Sequence, residues 1–292
     1  MLSVNTNYGA MIALQNLNKT NQDLTGVQNR INTGLSVAGP KDDGAVWAIA
    51  QGMRMDVKAL DAVTKSLDRA ISASDVAVSA GQAISDLLTE MKAKALAASD
   101  GSLDQNSREA YNADFVALRD QITNIVDNAS FNGVNLIDGS TATLQALANA
   151  AGDNFVTVTA QNLSLGGSIL SIASTSTIST ATNASSMITT VENSLNAINL
   201  ALAKLGTDSK KVGIHKTFVG KLSDELTNGI GNLVDADLAR ESAMLQSLQT
   251  KQQLGIQALS IANQAPQSVL QLFRSTQPGP ERPTRSRPIE VT

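Results

Sequence analysis

Few side chains in this chain could carry out catalysis or hold a metal ion. His215 is the only histidine and the sequence has no cysteine, so the usual ligands of transition metals are missing. A Ser-His-Asp triad would depend on this one imidazole, which lies in a helical pattern among Lys210, Lys211 and Lys216. We therefore expect no enzyme activity, no metal and no cofactor, and we interpret His215 as a residue on a helix surface.

Two clusters of acidic residues could in principle bind a cation. They are Asp42–Asp43, and Asp235 with Asp237 and Glu241, and neither has the spacing of a calcium-binding loop. The first cluster lies in a short turn that contains glycine and proline, where turn formation and helix capping explain it. We interpret the second cluster as a solvated helix face or the polar rim of an interface.

The elements that would position any site are helical, and apolar stripes lie at the two ends of the chain. Within each stripe several residues are seven positions apart, which is the period of helices that pack side by side. We expect these stripes to join copies of the chain. The stripe residues are Leu14, Leu17, Leu24, Ile31 and Leu35 at one end and Leu238, Leu245, Leu248, Ile256 and Leu259 at the other.

The composition argues against a compact globule and against charged partners. Hydrophobic residues make up 42% of the chain but aromatic residues only 3%, so burial must come from many small side chains along long seams. A net charge of −4 predicts no binding to nucleic acid or to an anionic membrane. The N-terminus does not resemble a secretory signal. The lack of cysteine suits both a reducing compartment and export as an unfolded chain.

Long helical patterns fill most of the remaining sequence. The spacing predicts helices over about 57–97, about 104–128 with Asp104 or Ser107 as the N-cap, and about 188–226 packed antiparallel on the first. The first helix alone would be about 60 Å long, which exceeds the diameter of a globule of this size. The predicted fold class is mainly α, a long antiparallel helical bundle or coiled-coil rod with a small outer segment containing a β-hairpin.

The middle of the chain shows turn and strand signals instead of a helical period. Asn132-Gly133 and Asp138-Gly139 are strong turn signals around a β-prone run. Val156 and Val158 then alternate with threonine, as do Leu170 and Ile172 with serine. We expect a small β-containing segment over 139–185, with a disordered Ser/Thr linker as the alternative. Residues 275–292 are rich in proline and arginine and are expected to be extended and disordered.

Several motifs in a fixed order resemble those of bacterial flagellins, with the short middle most like alphaproteobacterial members. The resemblance covers about 1–138 and 186–274. The motifs are Arg30-Ile31-Asn32-Thr33-Gly34-Leu35, Lys41-Asp42-Asp43-Gly44, Phe131-Asn132-Gly133-Val134-Asn135-Leu136, Ala236-Asp237-Leu238-Ala239-Arg240-Glu241-Ser242 and Leu270-Gln271-Leu272-Phe273-Arg274.

This resemblance implies an extracellular filament subunit for swimming motility, exported unfolded through the flagellar type III apparatus and assembled at the filament tip. Implied partners are further copies, alone or mixed with other flagellins, the filament cap, hook-associated proteins, the export apparatus and an export chaperone. Leu270 and Phe273 join the expected polymerisation interface. The expected segments are 1–45 (core helix and export information), 46–138 (rod domain), 139–185 (outer segment), 186–232 (rod helix), 233–274 (core helix and chaperone site) and 275–292 (extra tail).

Three further expectations follow from the resemblance. An innate-immune receptor reads a helix surface of flagellins whose pattern places a Gln-Arg pair before an apolar-basic-acidic run. Thr89 and Glu90 stand at the position of that pair and are followed by Met91 and Lys92. Because an arginine is lost and an acidic residue gained, we expect this chain to evade that receptor. Family members end near Phe273, so 275–292 is additional. Outward hydroxyls are candidate O-glycosylation sites, with an unmodified polar surface as the alternative. These hydroxyls are Ser168, Ser171, Ser174, Thr175, Ser176, Thr177, Ser179 and Thr180.

Two other functions fit the same helical pattern. A hook–filament junction protein has similar terminal helices, although usually with a larger middle. A secreted coiled-coil module, such as an adhesin or effector, would form discrete dimers or trimers instead of filaments.

Overall fold

The computed structural model describes the backbone of residues 6–274 and the side chains of residues 6–264. The chain forms two compact units, one comprising the residues up to Ala50 together with those from Gly231 onward, and one spanning Gln51–Ile230. We call these the terminal unit and the central unit. The elements in chain order are α1 (Tyr8–Thr33), α2 (Gly44–Ala98), α3 (Gln105–Asn128), β1 (Ser130–Phe131), β2 (Val134–Asn135), β3 (Thr143–Leu147), β4 (Phe155–Thr159), α4 (Ala181–Val234) and α5 (Leu238–Arg274).

In the central unit α2 and α4 pack antiparallel, as the sequence predicts. Residues later in α2 contact residues earlier in α4. Asp68 pairs with Lys216, Asp75 with Ser209, and Lys92 with Glu192. Leucine, isoleucine, valine, methionine and alanine side chains fill the seam between them. Its fully buried members include Leu67, Ile84, Leu88, Met91, Val191, Ile198, Leu205 and Val212.

Helix α3 begins where the sequence predicts. The Asp104 carboxylate accepts hydrogen bonds from the backbone N–H and the hydroxyl of Ser107, so Asp104 is the N-cap. These bonds favour the ionised carboxyl and lower the pKa of Asp104 below its ordinary value of 3.8. On the inner face of α3, Phe115 and Ile122 are fully buried in the core of the central unit.

A buried arginine closes the turn between α2 and α3. Arg108 exposes only 8% of its surface and donates to the backbone carbonyls of Ala98, Asp100 and Leu103 at 2.9, 2.9 and 3.2 Å. Carbonyls at the end of a helix have no intrahelical partner and carry its negative dipole, so a guanidinium there satisfies both demands. Arg108 was not among the residues predicted from the sequence.

Two short hairpins follow, and they confirm two of the predicted signals, the Asn132-Gly133 turn and the alternation around Val156 and Val158. The β1–β2 turn has positive φ at Asn132 (51°) and Gly133 (79°), the backbone conformation that favours Asn-Gly. In β4, Val156 and Val158 are buried while Phe155, Thr157 and Thr159 are exposed, and β4 pairs antiparallel with β3.

The outer segment is anchored by scattered apolar side chains. Leu163, Leu170, Ile172 and Ile178 are fully buried, so the alternative of a disordered Ser/Thr linker is wrong. The alternation around Leu170 does not form a strand; Leu170 makes only an isolated bridge with Leu165. Buried apolar residues between exposed hydroxyls therefore fix this loop without a regular ladder of hydrogen bonds.

Candidate polymerisation interface

The acidic clusters cap helices. Asp43 accepts from the backbone N–H groups of Ala45 and Val46 at the start of α2, which confirms the capping interpretation of the first cluster. Asp237 accepts from the N–H groups of Ala239 and Arg240 at the start of α5. The second cluster is thus partly a helix cap, and the described residues include no group of three metal-ligating side chains.

In the terminal unit α1 and α5 pack antiparallel. Polar contacts join Asn7 Nδ2 to the Ala262 carbonyl at 2.6 Å and Gln252 Nε2 to Asn21 Oδ1 at 2.7 Å. At the other end of the pair, Gly34 ends α1 with φ 70°, a conformation that glycine adopts without strain.

Main-chain hydrogen bonds join the two segments just beyond Gly34. Ser36 N donates to the Val234 carbonyl at 2.7 Å, and Ala236 N donates to the Gly34 carbonyl at 2.9 Å. We call these two bonds the junction. They bring the end of α1 and the beginning of α5 together, so the two predicted stripes meet within one chain.

The pair buries little of its apolar surface. Val27 is the buried residue of α1, at 1% exposure, and Leu248 in α5 exposes 8%. Of the predicted stripe, Leu14, Leu238 and Ile256 remain exposed, at 48%, 50% and 55%. The half-buried stripe residues are Leu17, Leu24, Ile31, Leu35, Leu245 and Leu259. Leu270 and Phe273 lie in α5, outside the described side chains.

Apolar residues that the predicted stripe omitted are also exposed on both helices. Each of them exposes at least 43% of its surface. Together with Leu14, Leu238 and Ile256 they occupy the first two turns of α1 and extend along α5 as far as Ile261. They are Met11, Ile12, Met244, Leu254 and Ile261. The described side chains of this pair present an elongated apolar surface, which is suited to packing against further helices.

The predicted receptor-facing residues are only partly at the surface. Thr89 and Glu90 are exposed, whereas Lys92 is half-buried and its Nζ lies 3.4 Å from Glu192 Oε1. Met91 is fully buried in the core of the central unit, so its assignment to this surface is wrong. The 3.6-residue period of α2 points Met91 inward, on the same face as Leu88 and Ala95.

The candidate hydroxyls of the outer segment also differ in exposure. Ser168, Ser171, Ser174, Thr175 and Thr180 are exposed, and the hydroxyl of Thr180 accepts from Asn183 N in the first turn of α4. Ser176, Thr177 and Ser179 are half-buried.

The one histidine contacts the backbone instead of forming a catalytic set. His215 Nε2 lies 2.8 Å from the Ala148 carbonyl, and its ring centroid is 5.9 Å from that of Phe218. His215 therefore links α4 to the turn after β3. Over the described residues, no helix is long and apolar enough to cross a bilayer.

Comparisons with known proteins agree with this arrangement. The family model for the bacterial flagellin N-terminal helical region matches residues 4–142, and the model for the C-terminal helical region matches residues 188–273. Flagellin FljM of Caulobacter vibrioides is 56% identical over 272 residues, covering 93% of this chain and 98% of that protein. A flagellin of Brucella melitensis is 34% identical over 283 residues, covering 94% of this chain and all of that protein.

A solved structure shares the fold. A protein assigned as a flagellar hook-associated protein from Vibrio parahaemolyticus matches with a TM-score of 0.56 at 11% identity, over 66% of this chain and all of that one. At this identity the likeness concerns the fold alone. The two family models, which together span most of the sequence, confirm the resemblance seen in the motifs. The chain therefore belongs to the bacterial flagellin family and is a self-polymerising structural subunit of the extracellular flagellar filament.

Proposed function

We propose that the terminal unit folds fully only when the subunit enters the filament, so that folding and polymerisation are one step. On this proposal the α1/α5 pair is the filament conformation, and both helices are largely disordered in the free protomer. The observation that carries the proposal is the exposure of the pair: Leu14, Leu238, Leu254 and Ile256 all remain about half open to solvent.

The free-energy balance supports this order of events. Ordering the backbone costs about 1–2 kcal/mol per residue, and α1 and α5 contain 26 and 37 residues. Fully burying one leucine or valine returns only about 1.5–3 kcal/mol. Val27 and Leu248 are the buried side chains among the described residues of the two helices, and this burial does not offset the ordering entropy of the isolated pair. Neighbouring copies supply the missing contacts.

A helical filament also requires a contact that does not close on itself. Head-to-tail contacts between different surfaces of identical chains produce open helices, whereas a self-complementary contact ends at a dimer. The exposed apolar residues lie on both α1 and α5, so one pair can contact more than one neighbour. Small changes in packing between such neighbours would alter the curvature of the filament.

Disordered termini are also compatible with export. We propose that the chain passes unfolded through the flagellar type III apparatus without a cleaved signal peptide and is added at the filament tip. Residues 1–45 would carry the export information and 233–274 would bind an export chaperone, with the filament cap and hook-associated proteins as further partners. We assign the chain no enzymatic role, because His215 contacts a backbone carbonyl and the acidic clusters cap helices.

Electron microscopy of the purified chain tests the filament assignment. Long, uniform helical filaments are expected, and discrete dimers or trimers would instead favour a coiled-coil module. The hook–filament junction alternative loses support because the relatives that cover almost the whole chain are flagellins. A junction role would show as assembly confined to one end of pre-formed filaments.

We propose that the central unit evades the innate-immune flagellin receptor through Thr89, Glu90 and Lys92, with Met91 excluded because it is buried. An acidic residue on the exposed face and the engagement of Lys92 with Glu192 alter the charge of that surface. Purified monomer should activate a receptor reporter cell line weakly, and activation at full potency would contradict the proposal. A Glu90→Arg variant should raise the response, whereas a Glu109→Arg variant, also at an exposed acidic position, should not.

We also propose that O-glycosylation, if the source organism performs it, falls on the exposed hydroxyls. Ser168, Ser171, Ser174 and Thr175 are open to solvent, while Thr180 is engaged as a helix cap and the remaining candidates are half-buried. Intact-mass analysis of native filaments with peptide mapping tests this. Mass additions confined to Ser176, Thr177 or Ser179 would contradict it.

A further inference from the structure

One ion pair lies within the α1/α5 contact. Arg30 Nε is 3.0 Å from Glu241 Oε1, and the two side chains expose 34% and 14% of their surfaces. In every other ion pair of the described residues, at least one side chain exposes 48% or more. Arg30 Nε and Glu241 Oε2 are shielded from solvent, and neither has a hydrogen-bond partner among the described residues.

An ion pair of this kind contributes more to specificity than to stability. Removing two charges from water costs about as much as their attraction returns, so replacing both by apolar side chains is often neutral or stabilising. Leaving one charge buried without the other is strongly unfavourable. The Arg30–Glu241 pair is half-buried, so an arrangement that separates its members leaves the more shielded Glu241 carboxylate without its counter-charge.

The α1/α5 pair needs such a device because its apolar pattern repeats. Leu17, Leu24 and Ile31 are seven residues apart on α1, as Leu238 and Leu245 are on α5. Sliding α5 along α1 by seven residues would keep part of this apolar contact, although Gln252 and Gly255 interrupt the repeat on α5. The junction also opposes such a slide, because a displacement of seven residues would break both of its main-chain hydrogen bonds.

The two charges do distinguish the registers. Sliding by seven residues in one direction places Arg30 opposite the buried Leu248, where the guanidinium would have no counter-charge. Sliding in the other direction places Glu241 opposite Asp23, where two carboxylates would repel each other. The observed register is the one that pairs Arg30 with Glu241.

We propose that Arg30 and Glu241 are positioning residues that select the register of α5 on α1 and so determine which apolar side chains the pair presents to the next copy. The inference rests on the proposed function, in which this pair is the assembling element of the filament. It adds that the apolar stripes and the junction do not select the register alone, and that one charge pair contributes to the choice.

The register can be read directly, because the native chain has no cysteine and an engineered disulfide is the only one possible. A Cβ placed on Gly255 would lie 3.8 Å from Leu17 Cβ, which is the usual Cβ separation in a disulfide. Leu17→Cys with Gly255→Cys therefore reports the observed register. Leu17→Cys with Ala262→Cys reports the register displaced by seven residues.

Both reporters are introduced into full-length chains with three versions of the pair: unchanged, Arg30→Met/Glu241→Leu, and Arg30→Glu/Glu241→Arg. Filaments are oxidised mildly, and disulfides within one subunit are identified by mass spectrometry in mixtures of ¹⁴N and ¹⁵N chains. With the pair unchanged, the disulfide at 17–255 should exceed that at 17–262 by about tenfold or more, since each tenfold in population corresponds to only about 1.4 kcal/mol. The neutral version should lower this ratio at least fivefold.

The reversed pair should restore the ratio to within about twofold of the original, although each reversed charge meets the unfavourable end of a helix dipole. If chains with the neutral pair do not form filaments alone, they are mixed as one part in ten with chains whose pair is unchanged. The ratio of the 17–255 to the 17–262 disulfide, measured in the neutral chains, should then show the same fall. Lys92→Met/Glu192→Leu removes an ion pair of the central unit and should leave the ratio unchanged.

An unchanged ratio in the neutral version would overturn the register proposal and assign the register to the junction. The failure of cysteine-containing chains with the pair unchanged to form filaments would instead count against the proposed function. Electron microscopy of the same samples scores filament formation separately, so the two failures are distinguishable.

Discussion

Replacing Ile256 by alanine should weaken filament assembly without unfolding the central unit. Ile256 lies on α5 and exposes 55% of its surface in the subunit, so about half of its burial remains to be gained on assembly. Full burial of an isoleucine is worth about 1.5–3 kcal/mol, and the half that remains contributes about 1 kcal/mol. Alanine is the better helix former by a few tenths of a kcal/mol, which offsets part of this loss.

The net loss of about 0.7 kcal/mol per subunit should raise the critical concentration for assembly about threefold. Leu238 exposes 50% and is 18 residues from Ile256 along α5, about 27 Å at 1.5 Å per residue. At this distance the two effects should add, so Leu238→Ala/Ile256→Ala should raise the critical concentration about tenfold.

The assay measures the protein left in the supernatant after seeded assembly and centrifugation. Gln253→Ala is the matched control, because Gln253 is an exposed polar residue of the same helix and its loss should change the critical concentration less than twofold. The far-ultraviolet circular dichroism and the urea midpoint of unassembled protein should be unchanged in all variants. A critical concentration within twofold of the original for the double variant would refute the assignment of this surface to assembly.

Three further predictions concern the central unit. Arg108→Met leaves three backbone carbonyls without their donor and should lower the free energy of unfolding in urea by about 3 kcal/mol. Arg108→Lys should have an intermediate effect, because a single ammonium group cannot reach all three carbonyls. A loss below about 0.5 kcal/mol for Arg108→Met would contradict the capping role. Gly81→Ala places a Cβ 2.6 Å from Leu202 Cδ2, and this crowding should cancel the stabilisation of about 1 kcal/mol that alanine brings to a helix interior. Gly206→Ala has open space around its Cβ and should keep that stabilisation; equal effects of the two substitutions would contradict the packing argument. Because the pKa of Asp104 is lowered in the folded state, its carboxylate stabilises the fold at pH values above its ordinary pKa of 3.8, and this contribution is lost as the pH falls through the lower folded-state pKa. Asp104→Asn should therefore weaken the pH dependence of the melting temperature between about pH 2 and 5. Parallel profiles of melting temperature against pH for the two proteins would contradict this prediction.

Local signals in the sequence predicted the elements well. Asp104 as an N-cap and Asn132-Gly133 as a hairpin turn depend on side chains and backbone conformations within a few residues, which a sequence records directly. The alternation of Val156 and Val158 likewise fixed both the strand and its buried face.

Contacts between distant parts of the chain were harder to predict from the sequence. Val27 is the most buried residue of α1 but was absent from the predicted stripe, because the 3.6-residue period defines an apolar face and not which edge of it the partner covers. Arg108 carried no signal, since its three acceptors are main-chain carbonyls brought together by the turn after α2. Met91 was placed on a surface by family pattern, although its spacing from Leu88 already indicated the core.

Hydrogen exchange of the same chain as isolated protomer and as assembled filament tests the coupling of folding to polymerisation most directly. In the protomer, amides of α1 and α5 should exchange within seconds, while buried stretches of α2 and α4 between Gln51 and Ile230 should be protected. In the filament both sets should be protected. Strong protection of α1 and α5 in the isolated protomer would contradict the account, because the pair would then be stable without its neighbours.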